Sequence, residues 1–438
     1  MNSTQFRSSR PFRQKQIPSS RPRFVMCFNI ILLLALLQTS SLFAQKKLSF
    51  PLDPLTEFPK NWEMTPKEFE SQFGKTKVKL YEWLTADKSR VKFSRSRFRG
   101  LEIDLTLFDG TLRIEEAIID FHKGKLNLMT FSIYNRGDSG KTTSEAFNKL
   151  HMTSGKAMSE VLKVKPSSIK ADKLQGFLTA GFLWNSPLAV ALLEYNEGAL
   201  KSPKPEFLRL RIARKGARGG LAASMTNSRG GASVSLNTLT RFITKDSKGN
   251  VFIKGLPMVD QGNKGYCVVA SVQRLFEHYG IGADMHQIAE VTNASPALGT
   301  SSLATARELD KVDYRFKTRL KIVGMRDSGR MTEVDKRKGK YYVGKKMDER
   351  KFMKDIRASI DNGIPLLWSL ELGRYPEEPN LRPQTSGGHM RLIIGYNDKE
   401  QKLIFSDSWG AGHEFKRMKM SDAYKATRGV FSLRPTVS

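Results

Sequence analysis

The feature that most constrains this chain is a glycine-rich loop that runs directly into an amphipathic helix and places a cysteine at their junction. The loop is Gln261-Gly-Asn-Lys-Gly-Tyr-Cys267, and the residues from Val268 to Gly280 carry apolar side chains at three- and four-residue steps. A thiol in the first turn of a helix lies close to unpaired backbone N–H groups, whose partial positive charge favours the nucleophilic thiolate. The stretch therefore predicts a reactive Cys267, with a buried and inert cysteine as the alternative.

The first 44 residues are typical of a secretory signal peptide. Residues 1–24 carry six Lys or Arg and no Asp or Glu, the apolar run Ile30-Ile-Leu-Leu-Leu-Ala-Leu-Leu37 follows, and Ser40-Ser-Leu-Phe-Ala44 supplies a small residue suited to cleavage. We therefore expect a secreted or periplasmic protein without a stable membrane span. A membrane anchor is the second interpretation, because the apolar run is short for a bilayer. Translation from Met26 would shorten the basic lead without changing this prediction.

Export makes the cysteine count informative. The chain has two cysteines, Cys27 and Cys267, and cleavage after the signal peptide would leave the second one alone. A single thiol can form no internal disulfide, and an oxidising compartment exposes it to oxidation. Retention of Cys267 therefore favours a chemical role over an inert one.

The chain is strongly basic, with a formal net charge of +30 and an isoelectric point near 10.0. Removing the six basic residues of the lead lowers this charge to +24, so the basic character is not confined to the signal peptide. Lys and Arg are scattered through both halves without a run of five, which favours a solvated basic surface. An anionic envelope polymer is the alternative partner, and no specific nucleic acid is expected.

Residues 48–215 are predicted to form an α+β domain in which one or two helices cover a face of an antiparallel sheet. Thr65-Pro66-Lys67-Glu68 combines an N-cap hydroxyl, a proline at the first helical position and a glutamate placed for a capping box. Alternating apolar residues from Leu101 to Leu107 predict a strand, and Asp109-Gly110 predicts the hairpin turn after it. Further elements follow from apolar periodicity: a turn at Lys123-Gly124, a helix over 142–163, and strands over 176–184, 189–195 and 207–212.

Residues 216–235 are rich in Gly, Ser and Ala and are predicted to form a flexible linker. The domain that follows, residues 236–438, changes its apolar period part-way. Besides the cysteine helix, helices are predicted over 284–291, 302–311 and 348–362, and strands over 364–370, 391–396, 402–406 and 429–433. Helices first and a sheet second in one unit predict an α+β layout with a cleft between the two halves.

A cysteine nucleophile needs a base, a group that orients the base, and N–H donors for the oxyanion. His389 follows Gly387-Gly388 at the entrance to an apolar strand, and Asp407 lies at the end of the next strand. Antiparallel pairing of these strands would bring the two residues together, so that Asp407 accepts the imidazole N–H. Gln261, six residues before Cys267, is placed to aim its side-chain NH₂ at the same carbonyl oxygen as the Cys267 backbone N–H.

The ordered set Gln261-Gly-x-x-Gly-x-Cys267, a downstream histidine and Asp407-Ser-Trp-Gly410 resembles the papain-like cysteine peptidases, and more closely their bacterial bacteriocin-processing branch. The resemblance covers residues 255–433 and nothing before the linker. It implies a papain-like fold, with the cysteine on a helical half and the histidine and aspartate on an antiparallel sheet half. The roles that it implies are nucleophile for Cys267, general base and acid for His389, orienter for Asp407, oxyanion-hole residue for Gln261, and shield over the His389–Asp407 hydrogen bond for Trp409.

Some residues depart from the papain pattern, and others are alternatives for its roles. Val268 stands where an aromatic residue often follows the cysteine, and Lys264 stands where a disulfide cysteine is common. Asp407 replaces the commoner asparagine, which is chemically sound because a carboxylate also accepts from imidazole. Asn397 is the alternative orienter, and a turn residue is its other interpretation. The remaining histidines are interpreted as packing or surface residues: His122, His151, His278, His286 and His413.

These residues predict an exported thiol hydrolase, a cysteine peptidase that takes a peptide or protein substrate and cleaves peptide bonds through a thioester intermediate. The alternative is a non-catalytic papain-fold module that binds peptides or anionic envelope polymers. A third hypothesis is self-processing, because Gly219-Gly220 and Gly230-Gly231 in the linker resemble the double-glycine sites that related peptidases cut. No cofactor and no metal site is predicted for any of the three.

Overall fold

Antiparallel sheets dominate both sides of the predicted linker and helices pack against them, which confirms the predicted α+β class. The computed structural model describes residues 48–437 except 76–79, 96–102, 172–178, 197–204, 218–232, 263, 293, 295–301, 312, 327–331, 336–339, 344–345 and 382–385. The predicted signal peptide and the double-glycine sites lie outside the described residues. Within the described ranges, no helix is both long and apolar enough to cross a membrane.

The strands of the N-terminal part, residues 48–217, are β1 (Leu48–Pro51), β2 (Tyr81–Trp83), β3 (Arg90–Ser94), β4 (Ile103–Leu107), β5 (Leu112–Ile114), β6 (Glu116–His122), β7 (Lys125–Asn135), β8 (Ser167–Ile169), β9 (Thr179–Asn185), β10 (Val190–Asn196) and β11 (Phe207–Ala213). They form an eight-stranded sheet in the order β2-β3-β6-β7-β11-β10-β9-β8 and a three-stranded sheet in the order β1-β4-β5. Its helices are α1 (Pro66–Phe73), α2 (Arg136–Ser139) and α3 (Ser144–Leu162), with 3-10 turns at Asp53–Thr56 and Lys60–Glu63.

Local signals in this part predicted local structure correctly. The Thr65 hydroxyl accepts the Glu68 backbone N–H, and the Glu68 carboxylate accepts the Thr65 backbone N–H, so the capping box forms and α1 ends before Gly74. The hairpin turn at Asp109-Gly110 joins β4 to β5 with Leu107 opposite Leu112. Lys123 and Gly124 take positive φ between β6 and β7, as a tight turn requires.

The strands of the C-terminal part, residues 233–437, are β12 (Ile243–Lys245), β13 (Asn250–Ile253), β14 (Thr318–Met325), β15 (Thr332–Asp335), β16 (Lys340–Val343), β17 (Leu366–Leu372), β18 (Gly387–Asn397), β19 (Lys402–Ser406), β20 (Lys416–Lys419) and β21 (Thr427–Pro435). They include a sheet in the order β12-β13-β18-β17-β21-β14, with β19 paired to β18 and to β20. Its helices are α4 (Cys267–His278), α5 (Met285–Thr292), α6 (Ser302–Asp310), α7 (Glu349–Asp361) and α8 (Met420–Ala426), with 3-10 turns at Leu236–Phe242 and Asp313–Phe316.

The sheet of the C-terminal part lies between two helical layers. Leu392 and Phe431 face the cysteine helix α4 in one apolar cluster. Their strand neighbours Ile393 and Val430 face α7 in another cluster, because successive side chains of a strand point to opposite faces. The sheet is thereby packed on both faces. The N-terminal end of its central strand β18 lies beside the N-terminal end of α4.

Several features of this sheet were not predicted. Strands β12, β13, β14 and β20 had not been expected, and β14 pairs with β21 along the edge of the sheet. Strand β18 begins at Gly387, four residues before the predicted start, because its first residues pair with β17 and Gly387 lies opposite Leu372. His389 is therefore inside the strand, and its backbone position is set by pairing with Leu370.

Candidate active site

Cys267 is the first residue of α4, as predicted, and its side chain is half-buried. The N-cap residue, Tyr266, offers no side-chain acceptor to the first helical N–H groups. The first N–H groups of any helix lack intrahelical acceptors and carry the positive end of the helix dipole. The helix packs its apolar face inward through buried Val269, Val272 and Phe276, which fixes where the thiol points.

His389 and Asp407 meet across two antiparallel strands. Strands β18 and β19 pair with Leu392 opposite Ser406, so Asp407, the next residue, lies beside the start of β18. The His389 Nε2 lies 2.6 Å from the Asp407 Oδ1, and both residues are buried, Asp407 completely. This arrangement brings together the two residues that the sequence assigned to base and orienter.

The Cys267 thiol and the His389 imidazole lie close enough for each to shift the pKa of the other. Since Nε2 is engaged by Asp407, Nδ1 is the ring nitrogen left for the thiol. Burial by itself would raise the pKa of the Cys267 thiol, but the hydrogen bond and charge of His389, together with backbone N–H groups, lower this pKa below its ordinary value. The arrangement therefore favours a thiolate beside an imidazolium.

The charge on His389 is stabilised from the other side by Asp407. Burial would lower the pKa of His389, but the Asp407 carboxylate and the Cys267 sulfur raise it to about 9. Burial would raise the pKa of Asp407, and the neighbouring His389 and Arg391 cations hold it well below its usual range. Because Asp407 is ionised, it accepts a hydrogen bond and the His389 Nε2–H donates it.

Arg391 is a residue of this site that sequence reasoning missed. Its Nε donates to the second carboxylate oxygen of Asp407 at 2.7 Å, and its Nη1 donates to Glu377 at 2.6 Å. The guanidinium is almost fully buried, and Glu377 in turn is paired with the buried Lys416. A signal was available: Arg391 is two residues after His389 in a strand and therefore shares its face.

Gln261 is held by the residue that follows Asp407. The Ser408 hydroxyl donates to the Gln261 Oε1 at 2.8 Å, and the Gln261 backbone N–H donates to the Ser408 carbonyl at 3.0 Å. The amide orientation is thereby set, with Nε2 on the opposite side. One N–H of that Nε2 donates to the Lys264 carbonyl at 3.1 Å, and an amide NH₂ has a second donor.

Arg274 is a second residue that was missed, and it joins the two halves of the site. It lies seven residues after Cys267, two turns along the same helical face, and is fully buried. Its Nη1 donates to the Asp407 carbonyl at 2.9 Å, its Nη2 donates to the Ser406 hydroxyl, and its Nε donates to the Pro257 carbonyl at 2.8 Å. The cysteine helix is thus tied to the aspartate strand and to the loop that leads to Gln261.

Trp409 lies where the resemblance implied. Its ring stacks on the His389 imidazole with centroids 4.6 Å apart and planes 26° apart, which covers one face of the His389–Asp407 pair. Asn397, the alternative orienter, lies at the far end of β18 and donates to Asn250 and to the Lys248 carbonyl. Its position in a turn brings it to a different end of the sheet from His389.

The other histidines divide into packing and loop residues. His151, His278 and His286 are buried, and rings of aromatic residues lie against each of them. His413 lies in the loop after Asp407 with its ring edge-on to Trp409, and its backbone carbonyl accepts the Asp407 N–H at 2.9 Å. Among the described residues, no group of three or more His, Cys, Asp and Glu side chains is arranged to hold a metal ion.

The geometry places a thiol, an imidazole and a carboxylate in sequence, and the comparison with protein families agrees with it. Residues 253–431 match the Peptidase_C39 like family. This match confirms the predicted resemblance, and it includes the four residues Gln261, Cys267, His389 and Asp407. The C39-like match covers less than half of the chain and none of the N-terminal part. No match was found among curated proteins.

Proposed function

We propose that this protein is an exported cysteine peptidase whose catalytic residues are Cys267, His389 and Asp407. The observation that carries the proposal is the chain of interacting groups from the Cys267 thiol through the His389 ring to the buried Asp407 carboxylate, whose Oδ1 lies 2.6 Å from Nε2. A chain of this kind activates a nucleophile and positions the acid that protonates the leaving group. The C39-like match over these residues supports a peptidase in particular.

The proposed reaction has two steps. The Cys267 thiolate attacks the carbonyl carbon of a peptide bond, the C–N bond breaks, and the amine leaves with the proton held by His389. A thioester to Cys267 remains. Water then attacks this thioester while His389 takes its proton, and the carboxylic acid leaves as the thiol is regenerated. Asp407 holds the imidazole in the tautomer and the orientation that both transfers require.

In both steps the carbonyl oxygen of the attacked bond becomes negatively charged, and hydrogen-bond donors must stabilise this charge. The proposed donors are the backbone N–H of Cys267 at the helix start and the second side-chain N–H of Gln261. Ser408 fixes the Gln261 amide by donating to its Oε1, so the donating end faces away from Ser408. Trp409 is proposed to keep water from the His389–Asp407 hydrogen bond.

The test is hydrolysis of a mixed peptide library by the purified mature protein, with cleavage products read by mass spectrometry. We expect cleavage by the wild type and a loss of at least about 10³-fold for Cys267→Ala, because the nucleophile is removed. Iodoacetamide should label wild-type Cys267 at pH 6 faster than it labels free cysteine. Arg357→Leu, an exposed change on α7, is the matched control and should cleave normally.

The same experiment separates the peptidase from a binding module. A wild type that cleaves no peptide, and whose Cys267 labels no faster than free cysteine, would overturn the peptidase proposal and favour the non-catalytic alternative. Export is tested separately by comparing the N-terminus of the protein purified from the medium or periplasm with residue 45. Self-processing and binding of an anionic polymer stay predictions from the sequence.

A further inference from the structure

The face of the eight-stranded sheet that lies away from its apolar core is charged and nevertheless buried. Lys92, Arg209 and Arg211 are each less than 5% exposed, and Arg209 and Arg211 both donate to Glu194. Alternation along a strand such as β11 is typical of a sheet with one face in solvent. Here the charged face is covered by the C-terminal part, and buried charges are stable only when they are paired.

The pairs that cross from this face reach the cysteine helix and its flanks. The Arg90 Nη1 donates to Glu277 of α4 at 2.8 Å, and Arg209 is paired with Asp284 just before α5. The Lys92 Nζ donates to the Asp260 carbonyl at 2.9 Å, one residue before Gln261. The N-terminal sheet therefore contacts elements that flank the nucleophile and the proposed oxyanion donor.

The pair nearest the oxyanion donor is Lys264 with Asp138. The Lys264 Nζ donates to the Asp138 Oδ2 at 2.6 Å, and their side chains are 7% and 5% exposed. Burial would raise the pKa of Asp138, but Lys264 and other neighbours lower it to about 2, so the pair is ionised at neutral pH. The backbone carbonyl of the same Lys264 accepts the Gln261 Nε2–H at 3.1 Å. Asp138 thus holds the Lys264 side chain, and the Lys264 carbonyl holds the Gln261 amide.

We propose that the ion pair between Asp138 of α2 and Lys264 is a positioning element of the active site, and that Asp138, through Lys264, holds Gln261 where it can donate to the oxyanion. This inference rests on the proposed peptidase function and assigns the N-terminal part a role in it. Lys264 stands at a position where a disulfide commonly anchors the loop in papain-like peptidases. In this chain a buried ion pair to another part of the protein provides the anchor.

Among the described residues, ion pairs from the N-terminal part reach the flanks of the loop and of α4. The described partners of Cys267 are His389, Met390 and Val268, and His389 is paired with Asp407. All of these residues belong to the C-terminal part. The ion pairs that cross from the N-terminal sheet end on the flanks of the loop and the helix. This placement fits a support for the site.

The test compares three variants of the full mature chain. Lys264→Met and Asp138→Asn each break the pair beside the oxyanion loop, and Asp284→Asn breaks a buried pair of the same interface away from the loop. We expect the first two to lower kcat for p-nitrophenyl acetate and for a cleaved library peptide by about 10- to 100-fold, because a displaced oxyanion donor acts on the transition state. The third should stay within about threefold of the wild type.

Alkylation and hydrogen exchange supply readouts that a loss of stability alone would not move. Iodoacetamide needs no oxyanion donor, so Cys267 should be alkylated at the wild-type rate within about twofold in all three variants. Amide exchange in peptides that contain Gln261 and Lys264 should be faster in Lys264→Met and Asp138→Asn only. If a single variant fails to fold, the double variant leaves no charge unpaired and takes its place.

Two results would overturn the inference. If Lys264→Met and Asp138→Asn turned over substrate as fast as Asp284→Asn, the Asp138–Lys264 pair would not position the Gln261 donor. Unchanged exchange around Gln261 would show that the loop does not depend on Asp138. A wild type that hydrolyses neither probe would instead reject the peptidase proposal, and the exchange measurement would still decide whether Asp138 orders this loop.

Discussion

At the scale of single residues, the site is governed by one carboxylate between two cations. Asp407 accepts from His389 on one oxygen and from Arg391 on the other. Arg391 keeps Asp407 ionised, and the ionised Asp407 keeps His389 protonated to about pH 9. The imidazolium in turn lowers the pKa of Cys267 below its ordinary value, which favours the thiolate.

This arrangement predicts a specific pH dependence. In the wild type, kcat/KM should fall as pH rises through about 9, because His389 then loses the proton that the leaving amine needs. Alkylation of Cys267 needs only the thiolate and should not fall there. Asp407→Asn removes the negative charge that favours imidazolium, so it should shift the alkaline limb toward neutral pH and lower kcat/KM by roughly 10²- to 10⁴-fold.

The control for this prediction is Asp398→Asn, which removes a half-exposed carboxylate of the turn between β18 and β19. It should leave the pH profile of hydrolysis in place. A wild-type alkaline limb that tracks the alkylation profile, or an Asp407→Asn limb that stays near pH 9, would show that His389 is not protonated in the way proposed.

At the scale of elements, the cysteine helix owes its position to Arg274. This guanidinium is fully buried and remains charged at neutral pH, although burial lowers its pKa to about 10. It donates to a carbonyl in the loop before Gln261 and to the backbone of Asp407. One side chain thus ties together three segments that are far apart in the sequence.

We expect Arg274→Leu to lower the free energy of unfolding by about 2–5 kcal/mol, because it leaves buried carbonyl acceptors without donors. Urea denaturation followed by tryptophan fluorescence measures this loss. Arg357→Leu on α7 removes a surface pair with Asp398 and a cation–π contact with Tyr396, and should cost about 1 kcal/mol. Equal losses in the two variants would mean that Arg274 does not hold the helix.

At the scale of the whole molecule, burial of charged and titratable groups sets the stability. Seven basic side chains lie inside the protein or nearly so, where they are paired or donate to buried acceptors: Arg90, Lys92, Arg209, Arg211, Arg274, Arg391 and Lys416. The buried histidines differ from these paired cations, because burial favours their uncharged form. Burial lowers the pKa of His278 to about 4, and it also lowers those of His151 and His286.

These histidines predict acid sensitivity. The unfolded chain binds a proton on His278 near pH 6.5, while the folded protein binds it only near pH 4, so stability present at neutral pH is lost as pH falls through this window. We expect a loss of roughly 3 kcal/mol from His278 alone between pH 6.5 and 4. Urea denaturation at pH 7.5, 5.5 and 4.5 measures it. His278→Phe should reduce the decline, and a decline of the same size in that variant would contradict this assignment.

The elements that were predicted correctly share a local cause. The capping box at Thr65, the hairpin turn at Asp109-Gly110 and the start of α4 at Cys267 depend on neighbours within a few residues. The edge strand β14 was not predicted, since what defines it as a strand is its pairing with β21, which follows it by about a hundred residues. Arg391 and Arg274 were missed for a related reason, because their partners lie on other elements.

The sequence by itself determined the class of the fold and the four residues of the proposed site, since spacing and apolar period encode the cysteine helix and the two strands that carry His389 and Asp407. Tertiary structure alone decided what surrounds them. The ion pair between Lys264 and Asp138 joins residues more than a hundred positions apart. Buried charges select their partners by proximity in space, and no local pattern around Cys267 contains that information.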